Sequence, residues 1–65
     1  MIVYVALKDD NSSSKILGVF SSKESAANCC LKQPTHTYQP WQKDDVDCWE
    51  NGHGLYVRVV EYNVL

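Results

Sequence analysis

The chain is short of most things from which a recognisable active site is built. It has three glycines, and they are too scattered for a loop that cradles phosphate: Gly18 lies among apolar residues, and Gly52-His53-Gly54 reads as a hairpin tip. No run approaches the roughly 20 apolar residues that span a bilayer. Six basic residues against eight acidic ones leave a net charge of -2, so no clustered positive surface draws nucleic acid or an anionic membrane. The three cysteines are an odd number with two adjacent, a poor basis for a disulfide framework. Cys29, Cys30, His36, Cys48 and His53 are the possible metal ligands. None forms the close Cys-x2-Cys or His-x3-His pair that brings two ligands to one zinc, so no metal or cofactor is expected.

What is present is ordinary globular material, 45% hydrophobic and 22% charged over 65 residues. That length allows a single domain, residues 1–65, near the lower limit for a self-sufficient core. No internal repeat interrupts it. Met1 to Leu7 lacks a preceding basic region and a small-residue cleavage pattern, so it is not read as a signal peptide; the expectation is a mature chain from Met1 in the cytoplasm.

The organising stretch is Ser21 to Gln33, the only helix expected. Ser21 with Glu24 has the spacing of a capping box, and Pro34 ends the helix. Ala26, Ala27, Cys30 and Leu31 make a narrow apolar stripe, with Cys30 as a small core residue and Cys29 at its margin. Before the helix, Met1–Leu7 reads as a strand with Ile2, Tyr4 and Ala6 on one face and Val3, Val5 and Leu7 on the other. Apolar residues on both faces imply a central strand, or one whose second face is covered by a partner. A polar loop, Lys8–Lys15, leads to a second strand, Ile16–Phe20, in which Gly18 leaves room for the helix or an aromatic ring.

After Pro34, residues 35–43 read as an ordered surface connection. Asp44–Glu50 reads as a short third strand. Asn51-Gly52 supplies the signal for a tight type I′ turn, followed by a long last strand, Leu55–Leu65. Eleven extended residues reach about 36 Å, whereas a helix of about twelve is about 18 Å long; part of the last strand is therefore exposed or met by a partner. The predicted fold is α+β, a two-layer sandwich with one helix packed on a mostly antiparallel four-stranded sheet in the order ββαββ.

Tyr4-Val5, the polar loop, Ile16-Leu17-Gly18-Val19-Phe20-Ser21-Ser22-Lys23-Glu24-Ser25-Ala26 and the closing Tyr56–Tyr62 strand resemble the small uncharacterised accessory proteins of bacteriophages and prokaryotes. The likeness covers mainly residues 1–30. It brings no catalytic residues, and it implies a protein that binds, and inhibits or redirects, a host protein.

Catalysis is not expected. Cys48 lies among Asp44, Asp45, Asp47 and Glu50, whose charge raises a thiol pKa, and Cys29 and Cys30 are late in the helix, where the dipole disfavours a thiolate. Tyr38, Trp41, Trp49, Tyr56 and Tyr62 could stack on bases, but only Lys43 and Arg58 accompany them, so direct nucleic-acid binding is not expected. The remaining signal is the acidic, aromatic segment Trp41–Glu50. Large aromatics flanked by charge serve interfaces as anchor and rim, and Trp41, Asp44, Asp45, Asp47, Trp49 and Glu50 are the candidate partner-binding residues, facing a protein partner of basic character. The plain alternative for each tryptophan is a place in the core. Two other readings stay open: a self-associating domain whose last strand pairs with a copy, giving a homodimer, and a Cys/His metal or redox site.

Overall fold

A computed structural model describes residues 1–64; Leu65, the end of the expected last strand, lies outside the described residues. The elements are β1 (Ile2–Asp9), β2 (Ser14–Phe20), α1 (Lys23–Leu31), β3 (Gln42–Asp45), β4 (Cys48–Glu50) and β5 (Tyr56–Asn63). They form one antiparallel sheet of five strands in the order β2-β1-β5-β4-β3. The four-stranded ββαββ arrangement is thereby corrected. Asp44–Glu50, expected as one strand, is split by a turn at Val46-Asp47 into the hairpin β3–β4.

The physical cause is local. Asp47 adopts the left-handed conformation at φ 56°, which aspartate tolerates better than most residues. The Asp45 carboxylate accepts the Val46 N–H at 2.7 Å, and the Asp47 carbonyl accepts from Val59 of β5 at 2.9 Å. A turn made of short polar side chains satisfying backbone groups displaces the extended conformation that alternation suggested.

The first hairpin is tighter than the eight-residue loop expected. Asp10 Oδ1 accepts the N–H groups of Ser12 and Ser13, each at 2.8 Å, and the Asp10 N–H donates to the Ser13 carbonyl. The strands therefore run on to Asp9 and from Ser14. A bulge between Ala6 and Leu7 leaves Leu17 unpaired. At Gly18 a Cβ would stand 2.9 Å from the Phe20 ring, so the ring occupies the space that the glycine leaves.

Helix α1 is capped by Ser22, whose Oγ accepts the Ser25 N–H at 3.2 Å, one residue later than the expected Ser21 box. It ends at Leu31, two residues before the expected Gln33. Ala26 and Cys30 are fully buried, whereas Leu31, expected in the stripe, is exposed. With Ala6 and Val57 they form the core, joined by Tyr4, Leu17, Phe20, Cys29, Trp41, Trp49 and Val59. The helix packs on β1, β2 and β5 only.

The β4–β5 connection departs from the expected type I′ turn, which needs consecutive residues at positive φ. Gly52 and Gly54 take φ of 82° and 88°, and Asn51 does not join them. Asn51 is 3% exposed, and its side chain organises the loop: Oδ1 accepts from the His53 and Leu55 N–H groups, and Nδ2 donates to the Thr35 carbonyl at 2.8 Å. This one amide fastens the long connection after the helix to the sheet.

Candidate functional site

Strand register sorts every side chain to one side of the sheet or the other, because directly opposed residues share a face and successive residues alternate. On the helix side, Ala6 opposes Gly18 and Val59, Tyr4 opposes Phe20 and Glu61, and Val57 opposes Lys8 and Trp49. The other side carries three rows that read across the sheet as Val19-Val5-Val60, Ile16-Leu7-Arg58-Cys48-Asp45 and the more polar Ser14-Asp9-Tyr56-Glu50-Gln42, with Val3 opposite Tyr62 beyond the first. Among the described residues, no helix or strand lies over this second face.

The open face is split into two chemistries. Across β2, β1 and β5 it is apolar: Val5 and Leu7 are buried, but Ile16, Val19 and Tyr62 remain 64%, 60% and 53% exposed. With half-buried Val3 and Val60 the uncovered surface is on the order of 400 Å², the size of the largest apolar patch on a typical single chain, which is often a functional one. Toward β4 and β3 the face turns acidic. Asp45 opposes Cys48, Glu50 opposes Tyr56, and Asp44, the extra residue of the β3 bulge, brings Oδ2 to 4.0 Å from Cys48 Sγ.

Between the two halves, Arg58 Nε donates to Asp9 Oδ2 at 2.6 Å. Ser14 Oγ donates to the other carboxylate oxygen of Asp9. Burial alone would raise this carboxyl, but the bonds from Ser14 and Arg58 outweigh it and hold Asp9 below its ordinary pKa. Among the described residues, Arg58 is the only cationic side chain that the register places on this face. Lys8, Lys15 and Lys43 fall on the helix side, and Lys23 and Lys32 belong to the helix and its cap.

The six residues singled out by sequence are therefore divided. Asp44, Asp45 and Glu50 share the open face. Asp47 turns to the helix side, where Lys23 holds it at 2.9 Å. Both tryptophans are half-buried against the core. Trp41 Nε1 donates to the Gln33 carbonyl at 2.9 Å, beyond the end of the helix, and Trp49 stacks under the Lys43 ammonium, 5.5 Å from its ring centroid. The acids and the tryptophans do not form one surface.

The apolar half of the face lies outside the six candidate residues. Its signal is the double-sided apolar pattern of β1, read as a central strand or as one whose second face a partner covers; β1 does lie inside the sheet, between β2 and β5, but the pattern did not point to Ile16, Val19 and Tyr62, which complete the patch.

Cysteine and histidine chemistry has less to work with. All three thiols are free. Burial, then Cys29 beside it, pushes the Cys30 thiol up to about 11, and its Sγ lies 3.4 Å from the Arg58 carbonyl. Cys48 is raised as well, first by burial and then by Asp44 and Asp45. Neither environment favours the reactive thiolate. His36 and His53, expected on separate connections, line one cleft with Tyr38 over the Asn51 side chain. Among the described residues no group of three or more His, Cys, Asp or Glu side chains is placed to hold a metal ion, and no helix is long and apolar enough to cross a membrane.

A family described as a domain of unknown function (DUF7336) matches residues 1–58. No curated protein and no solved structure matches the chain.

Proposed function

The chain belongs to the DUF7336 family, a domain of unknown function, and on that footing we propose that it is a non-catalytic protein-binding module whose open sheet face receives the partner. The observation that carries this reading is the uncovered apolar surface of β2, β1 and β5, with Ile16, Val19 and Tyr62 more than half exposed. Water is a poor neighbour for such a surface. Covering on the order of 400 Å² releases roughly 10 kcal/mol in gross terms at about 25 cal/mol per Å², much of which association costs consume. The resemblance to phage-type accessory proteins supports the same class of role, a module that occupies a host protein.

Asp44, Asp45 and Glu50 serve as the rim of this face, and Trp41 and Trp49 act by shaping the fold behind it. Val19→Asp and Val60→Asp place charge in the apolar half without touching the core around Ala6 and Cys30. Tagged native protein and the two variants, each shown by circular dichroism to be folded, are compared for partners retained from bacterial lysate. Loss of the same retained protein from both variants supports the reading. Identical capture by all three overturns it.

A second reading is favoured by one feature of β5. The strand pairs with β1 along its length, but β4 pairs with it only at Tyr56, Val57 and Arg58. The Val59 N–H still reaches the Asp47 carbonyl, so by alternation Glu61 and Asn63 point backbone groups to the same, unflanked side. Pairing of that short edge with a copy would give an antiparallel dimer. Light scattering on the pure chain tests it: a dimer that Glu61→Pro dissolves supports edge pairing, and a monomer at all concentrations refutes it.

A further inference from the structure

We infer that the occupant of the open face is an amphipathic helix of a partner protein, with an apolar stripe along its centre and lysine or arginine along one flank. This rests on the reading that the open face binds protein, and it adds the shape and charge of what is bound.

The shape follows from the sheet. The apolar rows span β2, β1 and β5, three strands about 4.8 Å apart. That width matches one helix about 10 Å across. Val19, Val60, Val3 and Tyr62 extend the patch along the strands in steps of about 6.6 Å, two residues at 3.3 Å each. The same three strands already carry a helix, α1, on their other face. A second helix on the open side would complete a three-layer arrangement in which both apolar faces of β1 are buried.

The charge follows from which border is acidic. Asp44, Asp45 and Glu50 lie off one end of the apolar patch on its β4–β3 side, beyond Arg58 and Tyr56, and Arg58, the cationic side chain that the register places on the face, is already held by Asp9. On the opposite border, β2 contributes Ser14, Ile16 and Val19. An occupant is therefore drawn to carry positive charge on one flank only. Complementary charge of this kind sets orientation and excludes wrong partners.

A second copy of the chain does not satisfy these requirements. Packed face to face about an axis across the strands, two copies would set Asp45 and Glu50 near their own images. About an axis along the strands, the acids would overhang β2, which offers no cation on that face. The copy's own helix could present Lys23 and Lys32, but its outer surface carries Glu24 and Asn28 rather than an apolar stripe.

The test uses isotope-labelled full chain and four synthetic peptides of about 18 residues. One has a leucine stripe with lysine and arginine on one flank; the second carries glutamate on that flank. The third is a scrambled isomer of the first, and the fourth is its proline-interrupted isomer. The basic helical peptide is expected to shift the amides of Val3, Val19, Val60 and Tyr62. It should bind at least tenfold more tightly than the glutamate version, and the preference should weaken with added salt. Asp45→Lys with Glu50→Lys should erase or reverse that preference, and Asp45→Asn with Glu50→Gln should reduce it.

Equal binding of the basic and acidic peptides on the open face overturns the charged-flank inference while leaving the face itself as a binding surface. Equal binding of the proline-interrupted or scrambled peptide overturns the helical occupant. Concentration-dependent shifts of the same amides without peptide, with a dimer mass, assign the face to a second copy and overturn the inference. No shift with any peptide at millimolar concentration overturns it as well. The lysate comparison then decides separately whether the face binds protein at all.

Discussion

Asn51→Ala removes the side chain that fastens the post-helix connection to the sheet. Three hydrogen bonds disappear: Nδ2 to the Thr35 carbonyl at 2.8 Å, and Oδ1 from the His53 and Leu55 N–H groups at 2.7 and 3.1 Å. Each is worth roughly 0.5–1.5 kcal/mol net, and a group left buried without a partner costs about 1–3 kcal/mol. Since His53 is exposed and water can reach its amide, the expected loss is about 2–3 kcal/mol. A domain of this size has roughly 3–10 kcal/mol in total, so the variant should melt about 10–20 °C lower. Urea titration by circular dichroism measures the loss through the midpoint, with the slope unchanged if the unfolded state is unaffected. Asn51→Asp separates the two halves of the network. It keeps the acceptor for His53 and Leu55 and sets a carboxylate oxygen against the Thr35 carbonyl. The fold then favours the protonated acid, which can donate to Thr35, so the stability of this variant relative to the native chain should recover as pH falls toward 4. A shift below about 3 °C for Asn51→Ala would show that water replaces the amide at little cost, and would refute the role given to it.

Asp9→Asn should lower stability by about 0.5–1 kcal/mol, the scale of a partly exposed ion pair, since the Arg58 side chain is 43% exposed. The Asp9 carboxyl is held below its ordinary value; its contribution is present above the unfolded pKa of about 3.9 and lost as pH falls through the lower folded value. Urea midpoints from pH 5 downward should therefore fall less steeply in the variant below about pH 4, and parallel curves would refute the assignment. Gly18→Ala pushes a methyl into the Phe20 ring at 2.9 Å and should cost about 1–3 kcal/mol, as overpacking does; Gly18→Ala with Phe20→Leu should recover part of it. Cys30, fully buried with its thiol pushed up to about 11, should resist alkylation at pH 8 in the native chain and react once urea unfolds it. Mass spectrometry locates the label, and equal rates in both states would remove Cys30 from the core.

The first half of the fold is legible because its signals are local. β-Branched residues either side of a polar loop make β1 and β2, and a serine before a short alanine-rich run makes α1. The cap falls on Ser22 rather than Ser21 because both serines precede acceptable first turns, and only the bond from Ser25 to Ser22 distinguishes them. In the second half β5 is legible too, as the long last strand, but the hairpin before it is not, for a different reason. Its strands are four and three residues long, too short for periodicity to announce them, and they exist because β5 offers an edge on which Cys48–Glu50 can pair. Strand order is likewise a tertiary outcome: β5 lies between β1 and β4, which no local pattern encodes.

The candidate site shows how one misplaced turn redistributes chemistry. In a single strand from Asp44 to Glu50, alternation puts Asp45, Asp47 and Trp49 on one face and Val46, Cys48 and Glu50 on the other. The turn at Val46-Asp47 restarts the count. Asp45 then comes opposite Cys48 and shares a face with Glu50, while Trp49 falls opposite Lys43 and Val57 on the helix side. Composition had marked the segment as an interface because acids and tryptophans lie together in sequence. In space the tryptophans complete the core, and the acids border a different set of apolar residues, supplied by β1, β2 and β5. Sequence neighbours in a hairpin are face neighbours only at every second position, and only within one strand. The apolar pattern on both sides of β1 was thus the better guide: a strand built to be covered twice, in a chain with one helix to cover it, leaves one face for something else.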